Sequence, residues 1–232
     1  MITLPFQKWP KIDDFSLENT SLHLWLIKIP LSVRVHRFKE LHVLQSKRRQ
    51  ILKHILSKYL KHPVENTDLD TTCSGKPFLK SSPLQFNVSH SHNLILIAIH
   101  PYSPVGVDIE WMTHRNFLDF GRRFWGDAWT ERHLKRLPAF CQRMGFFQAW
   151  TQTEAWVKAQ GETIFNFSEI EVQQLMGRGA RIDQNWQFLS FTPKVNCIGS
   201  ICCSQDVTDI ATMIIDLQNT QDFEHFASKG AL

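Results

Sequence analysis

The amino-acid sequence predicts an α+β fold of two halves, each a helix with a small sheet, and three patterns carry that reading. Residues 22–30 are an apolar run stopped by Pro30, which reads as a strand. Residues 46–60 repeat apolar side chains at helical spacing, and residues 141–160 form a second long helical stretch. Strand-length runs lie around both helices. With 232 residues, 43% of them hydrophobic, the chain can build the core of one large domain or two small ones.

Taken in chain order, the first helix should turn Ile51, Leu52, Ile55, Leu56 and Tyr59 inward, with Arg48 and Arg49 near its start. Asn, Asp, Thr, Ser, Gly and Pro dominate residues 63–83, so a long loop is expected there, carrying Gly75-Lys76-Pro77-Phe78. Strands follow at 84–88, 94–100 and 105–110, then helices near 117–124, 130–137 and 141–160. Further strands are expected at 169–175, 186–191, 198–203 and 210–217, and residues from Gln221 onward read as a loosely held tail. No repeat of fixed period and no low-complexity tract breaks this order.

Composition narrows the function. No apolar run approaches the roughly 20 residues that cross a bilayer. The start of the chain lacks the charged-then-apolar order of a signal peptide, so a cytoplasmic protein without a membrane partner is expected. Cys73, Cys141, Cys197, Cys202 and Cys203 show no Cys-x-x-Cys spacing, which argues for small, mostly buried thiols rather than a zinc site or disulfide framework. The net charge of +4 is modest, but residues 34–61 hold nine Lys or Arg against the single acid Glu40. Nucleic acid would call for a stronger overall bias. A phosphorylated small molecule or an acidic protein needs only such a local patch, although the same charges also suit an ordinary solvated helix face.

The chemistry concentrates in two segments. In Val105-Gly106-Val107-Asp108-Ile109-Glu110, strand alternation sends the three apolar residues to one face and Gly106, Asp108 and Glu110 to the other, so two carboxylates sit side by side. An edge strand with a wet, charged face would alternate in the same way. In Trp150-Thr151-Gln152-Thr153-Glu154-Ala155-Trp156-Val157-Lys158-Ala159-Gln160-Gly161, helical spacing stacks Trp150, Glu154 and Lys158 along one stripe. Taken alone, Glu154 and Lys158 are an ordinary helix pair worth about 0.2–0.5 kcal/mol. Taken together, three hard oxygen ligands beside a lysine suit Mg²⁺ holding a phosphate ester, because Mg²⁺ commonly takes a few carboxylates, waters and substrate phosphate oxygens.

Four segments in order resemble the 4′-phosphopantetheinyl transferases of the surfactin-synthetase-activating (Sfp-like) type: Gly75-Lys76-Pro77, Phe86-Asn87-Val88-Ser89-His90-Ser91, and the two just described. The similarity spans residues 34–161. It implies a monomer of two pseudo-symmetric halves, each a small antiparallel sheet with a long helix, and an active site in the cleft between them. Residues 1–103 would form the half that contacts the nucleotide of coenzyme A, residues 104–220 the half with the metal and catalytic residues, and residues 221–232 a loose tail. The implied reaction moves the 4′-phosphopantetheine arm of coenzyme A to a serine of an apo, acidic carrier protein, with Mg²⁺, and releases 3′,5′-ADP.

By the same resemblance Asp108, Glu110 and Glu154 match the metal ligands, and Glu154 also matches the group that takes the serine proton, directly or through water. Lys158 matches the lysine that neutralises phosphate oxygens during transfer. Arg49, Lys76, Ser89 and His90 match coenzyme A contacts, with Arg48 as an alternative to Arg49 and with Arg34 and Arg37 as weaker candidates. Gly106 would let a pyrophosphate approach the backbone, and Trp150 would pack behind Glu154 as core. Thr153 stands where the family usually has a lysine, which leaves coenzyme affinity and carrier preference open. Two other classes use the same residues: a catalytically weakened coenzyme A or carrier-protein binding module, and a Mg²⁺-dependent phosphodiesterase.

Overall fold

The computed structural model describes residues 4–8, 15, 17–30, 38–113, 116–162 and 185–218. Its central element is β6 (Leu94–His100), Leu-Ile-Leu-Ile-Ala-Ile-His, buried at every position. Such a continuous apolar strand must be covered on both faces. Ile95, Ile97 and Ile99 meet Ile51, Leu52, Ile55 and Leu56 of α1 (Phe38–Leu60), as the helical spacing predicts, while Leu94, Leu96 and Ala98 face Val105, Val107 and Ile109. Tyr59 is half-buried, its hydroxyl accepting a 2.7 Å bond from Trp25 Nε1. The helix starts eight residues before the expected position, because residues 38–45 contain no Gly or Pro to stop it.

β6 belongs to a five-stranded sheet ordered β1 (Gln7–Lys8), β10 (Asp209–Asp216), β2 (Ser21–Lys28), β6, β5 (Gln85–Ser91). A second, three-stranded antiparallel sheet runs β7 (Gly106–Trp111), β9 (Cys197–Ser204), β8 (Trp186–Lys194). The apolar face of β7 packs against the large sheet; the other side of the small sheet carries α3 (Ala139–Gln160), whose Ala155, Trp156, Val157 and Ala159 cluster with Cys202. The layers therefore run α1, large sheet, small sheet, α3. Before α3, α2 (Phe117–Trp129) runs beyond the expected 117–124, kinks at Gly126 (φ 83°) and continues into one π-helical stretch at Thr130–Leu134. α3 ends where Gly161 takes a left-handed φ of 70°, the usual glycine stop.

The fold is mixed α+β. β10 pairs parallel with both β1 and β2, so the large sheet is mixed rather than antiparallel and draws strands from both ends of the chain. An apolar run specifies a buried strand but not its neighbour: β2 is apolar on both faces and takes its second partner from the far end of the chain. The loop expected at 63–83 contains a 3₁₀ turn at Asn66–Asp68 and a short hairpin of β3 (Leu69–Thr71) and β4 (Pro77–Leu79), turned at Gly75 with φ 85°. The expected strand at 169–175, the tail from Gln221, Arg34 and Arg37 lie outside the described residues. All five thiols are free; Cys197, Cys202 and Cys203 are buried, Cys141 half-buried and Cys73 exposed. No described helix is long and apolar enough to cross a membrane.

Candidate active site

The site begins as a polar seam between β5 and β7. Asn87, Ser89 and Ser91, alternate residues of β5, all point toward β7 and bind its backbone: Val107 N–H donates to Asn87 Oδ1 (2.9 Å), Ile109 N–H to Ser89 Oγ (3.3 Å) and Trp111 N–H to Ser91 Oγ (3.0 Å). The two serines then donate onward, Ser89 to Asp108 Oδ1 at 2.7 Å and Ser91 to Glu110 Oε2 at 3.0 Å. Each carboxylate of β7 is thus aimed by a hydroxyl that is itself fixed by β7. Asn87 and Ser91 were not expected to take part. Their signal was a period-two row of small polar side chains, Asn87, Ser89 and Ser91, facing away from Phe86 and Val88.

α3 brings the remaining charges. Lys158 Nζ lies 2.6 Å from Asp108 Oδ1, 3.4 Å from Ser89 Oγ and 3.7 Å from Glu154 Oε2. Burial alone would lower the Lys158 pKa, but Asp108 and Glu154 outweigh it and hold the ammonium above its ordinary range. For Glu154, burial and then repulsion from Asp108 push the carboxyl upward against the pull of Lys158. Gly106 makes this approach possible. A Cβ there would lie 1.8 Å from Ala155 O and 2.5 Å from Ala159 N, so the strand and helix backbones touch. The space that was expected to admit a pyrophosphate at Gly106 is filled by α3.

Among the described residues, no three His, Cys, Asp or Glu side chains already form a metal-holding group. The donor chemistry nevertheless fits a hard cation. Asp108 is 3% exposed and its Oδ2 is buried without a hydrogen-bond partner, an expensive arrangement for a carboxylate oxygen unless something cationic meets it. Mg²⁺ is usually held by one or two carboxylates together with water and substrate phosphate rather than by an all-protein cage. The residues present suit that mode.

The expected coenzyme A contacts separate. Alternation puts His90 on the opposite face of β5 from Ser89, the face of Phe86 and Val88 that meets α1. There His90 stays exposed, and partial desolvation and then Arg48 lower the pKa of the imidazole, favouring its neutral form. Arg48 is half-buried with its Nε unpartnered, whereas Arg49 is exposed, so Arg48 is the arginine beside His90. Lys76 turns its ammonium inward, to Ala159 O (3.1 Å) and Val105 O (3.3 Å). Trp150 packs as expected, against Phe124, Trp125 and Phe146, and with Phe120, Phe147 and Trp111 it also forms the wall of a cavity of about 170 Å³ that reaches Ser91 and Glu110.

Residues 104–196 match the family model described as the 4′-phosphopantetheinyl transferase superfamily. The chain is 29% identical over 219 residues to the 4′-phosphopantetheinyl transferase HetI of Nostoc sp., an alignment covering 83% of this chain and 91% of that protein. It is 31% identical over 115 residues to the 4′-phosphopantetheinyl transferase psf-1 of Bacillus pumilus, covering 49% and 48% of the two chains. A similar stretch of 118 residues is 28% identical to the 4′-phosphopantetheinyl transferase gsp of Aneurinibacillus migulanus, covering 50% and 47%.

Proposed function

We propose that this chain, a transferase of the 4′-phosphopantetheinyl transferase superfamily, moves the 4′-phosphopantetheine arm of coenzyme A onto a serine hydroxyl of an apo carrier protein and releases 3′,5′-ADP. The observation that carries this reading is the Asp108 carboxylate: buried, fixed through one oxygen by Ser89 and Lys158, and unpartnered at the other. Asp108, Glu110 and Glu154 would hold Mg²⁺, which would neutralise charge on the coenzyme A pyrophosphate. Lys158, reaching both Asp108 and Glu154, would face the phosphate oxygens as charge shifts during transfer. Glu154 would take the proton of the attacking serine, directly or through water, and its upward-shifted pKa suits a proton acceptor. No protein nucleophile is needed, since phosphoryl transfer rests on positioning and charge stabilisation.

In this reading the first half of the chain meets the nucleotide through His90 and Arg48 or Arg49, with Ser89 reaching from β5 to the second half's catalytic groups. Lys76, the other expected nucleotide contact, is engaged by the backbone carbonyls of Val105 and Ala159. The basic stretch at 34–61 would also steer an acidic carrier. The enzyme would work in the cytoplasm as a monomer, without membrane or nucleic-acid partners. Incubation with coenzyme A, Mg²⁺ and a panel of apo carrier proteins should add the mass of one phosphopantetheine arm to at least one carrier. Unchanged carriers across the panel, with coenzyme A still bound, would instead identify a binding module. Cleavage of coenzyme A with no acceptor present would identify a phosphodiesterase.

A further inference from the structure

We propose that Lys76 is a positioning residue that fastens the last turn of α3 to the strand bearing Asp108 and Glu110, and thereby sets the spacing of the acids across the site. A helix leaves its last four carbonyls without intrahelical donors. At the end of α3, Val157 O accepts from Glu162 N–H (3.0 Å) and Lys158 O from Gly161 N–H (3.3 Å). Ala159 O, the next in line, accepts from Lys76 Nζ at 3.1 Å, and the same ammonium donates to Val105 O, immediately before β7, at 3.3 Å. Ser74 adds a bond from its hydroxyl to Gly161 O. The β3–β4 turn therefore caps α3 from outside the helix.

That turn is built to hold its shape. Thr72 N–H donates to Lys76 O and Gly75 N–H to Thr72 O, both at 2.9 Å, and the Thr72 hydroxyl accepts from Lys76 N–H at 3.1 Å. The clamp closes beside the contact at Gly106, where the strand meets the helix backbone at Ala155 and Ala159. The two bonds to carbonyls use two of the three donors of an ammonium. Burial lowers the Lys76 pKa to about 8, as expected for a cation withdrawn from water onto carbonyls rather than onto an anion.

The test is Lys76→Met, read in two ways. Hydrogen exchange of the free protein should accelerate at residues 105–108 and 155–162 and stay unchanged in β6; unchanged exchange at the first two segments overturns the proposal. The kinetic arm rests on the transferase reading and compares coenzyme A with dephospho-coenzyme A, which lacks the 3′-phosphate. A positioning role lowers kcat by about 10- to 100-fold, leaves KM for coenzyme A within about twofold and preserves the preference between the two substrates. A raised KM together with loss of that preference would mean that Lys76 grips the nucleotide, and overturns the proposal. If Lys76→Met does not fold, Lys76→Gln takes its place, and absence of faster exchange at 105–108 and 155–162 in that variant overturns it equally. A parent protein that modifies no carrier refutes the transferase reading while leaving the exchange result to decide on Lys76.

Discussion

The two charged regions of this molecule are built in opposite ways. At the junction of β7 and α3, Asp108 and Lys158 are nearly or largely buried, tied to each other at 2.6 Å and to Ser89, and backed by a backbone contact that only glycine permits. Along α1, Lys47 and Arg49 are exposed, Lys53 and Lys58 are half-buried, and Arg48 is drawn toward His90. Preorganised charge acts on a transition state because nothing has to reorient at the moment of reaction, whereas exposed charge steers and is screened by salt. The junction is therefore where chemistry should be lost by mutation, and α1 is where affinity should be lost.

The largest effect should follow from removing the acids at the junction. Asp108→Asn and Glu154→Gln should each lower kcat by about 10²–10³-fold, the size seen when a fixed electrostatic contact is lost, measured as carrier modification under saturating coenzyme A. Their stabilities should diverge. Asp108→Asn strips Lys158 of its closest partner and should lower Tm. Glu154 is held in a position that disfavours its charge, so Glu154→Gln should leave Tm unchanged or raise it. Equal losses of Tm would show that the two acids are structurally equivalent and would erase this distinction.

Next in size is Gly106→Ala. Its methyl group would collide with Ala155 O and Ala159 N, backbone atoms that cannot rotate away. The cost should reach or exceed the about 1–3 kcal/mol of an overpacked core, and chemical denaturation measures it. A loss under about 0.5 kcal/mol, the range of an ordinary surface change, would mean that α3 can slide away from β7. The comparison of Arg48→Ala with Arg49→Ala then examines the other region. Arg48→Ala should raise KM for coenzyme A about tenfold, the worth of one charge-assisted contact. Arg49→Ala should stay within about twofold, because an exposed charge contributes little. The reverse order would return the nucleotide contact to the exposed arginine.

Local pattern made much of this visible in the sequence. The apolar run of β6 ahead of His100, the alternation of β7 and the glycine stop of α3 are each decided by residues near one another in the chain, and the structure follows them. The acids and Lys158 were legible for the same reason. Long-range pairing was not: nothing in Asp209–Asp216 says that it will lie parallel to β2, and nothing in Gly75-Lys76-Pro77 says that the lysine will cap a helix that ends over 80 residues later. Gly106 and His90 show a second limit. A missing side chain signals a close approach but not what approaches, and adjacent strand residues such as Ser89 and His90 face opposite ways even when both look polar.

The smallest expected effect examines the junction without any substrate. Burial holds Lys76 at a pKa of about 8, opposed by a weaker pull from Cys202, against 10.5 for an ordinary lysine. Between those two values the folded protein binds fewer protons at this group than the unfolded chain does, so the stability it contributes rises with pH across the window and is lost as pH falls through about 8. Lys76→Met has no such group, while the other titrating residues are common to both proteins and cancel in the comparison. The Tm of the parent minus that of Lys76→Met should therefore grow as pH is raised from 8 toward 10. A difference that stays flat would mean that the ammonium is solvated at its ordinary pKa, leaving Ser74 and the backbone contact at Gly106 to hold the two elements together.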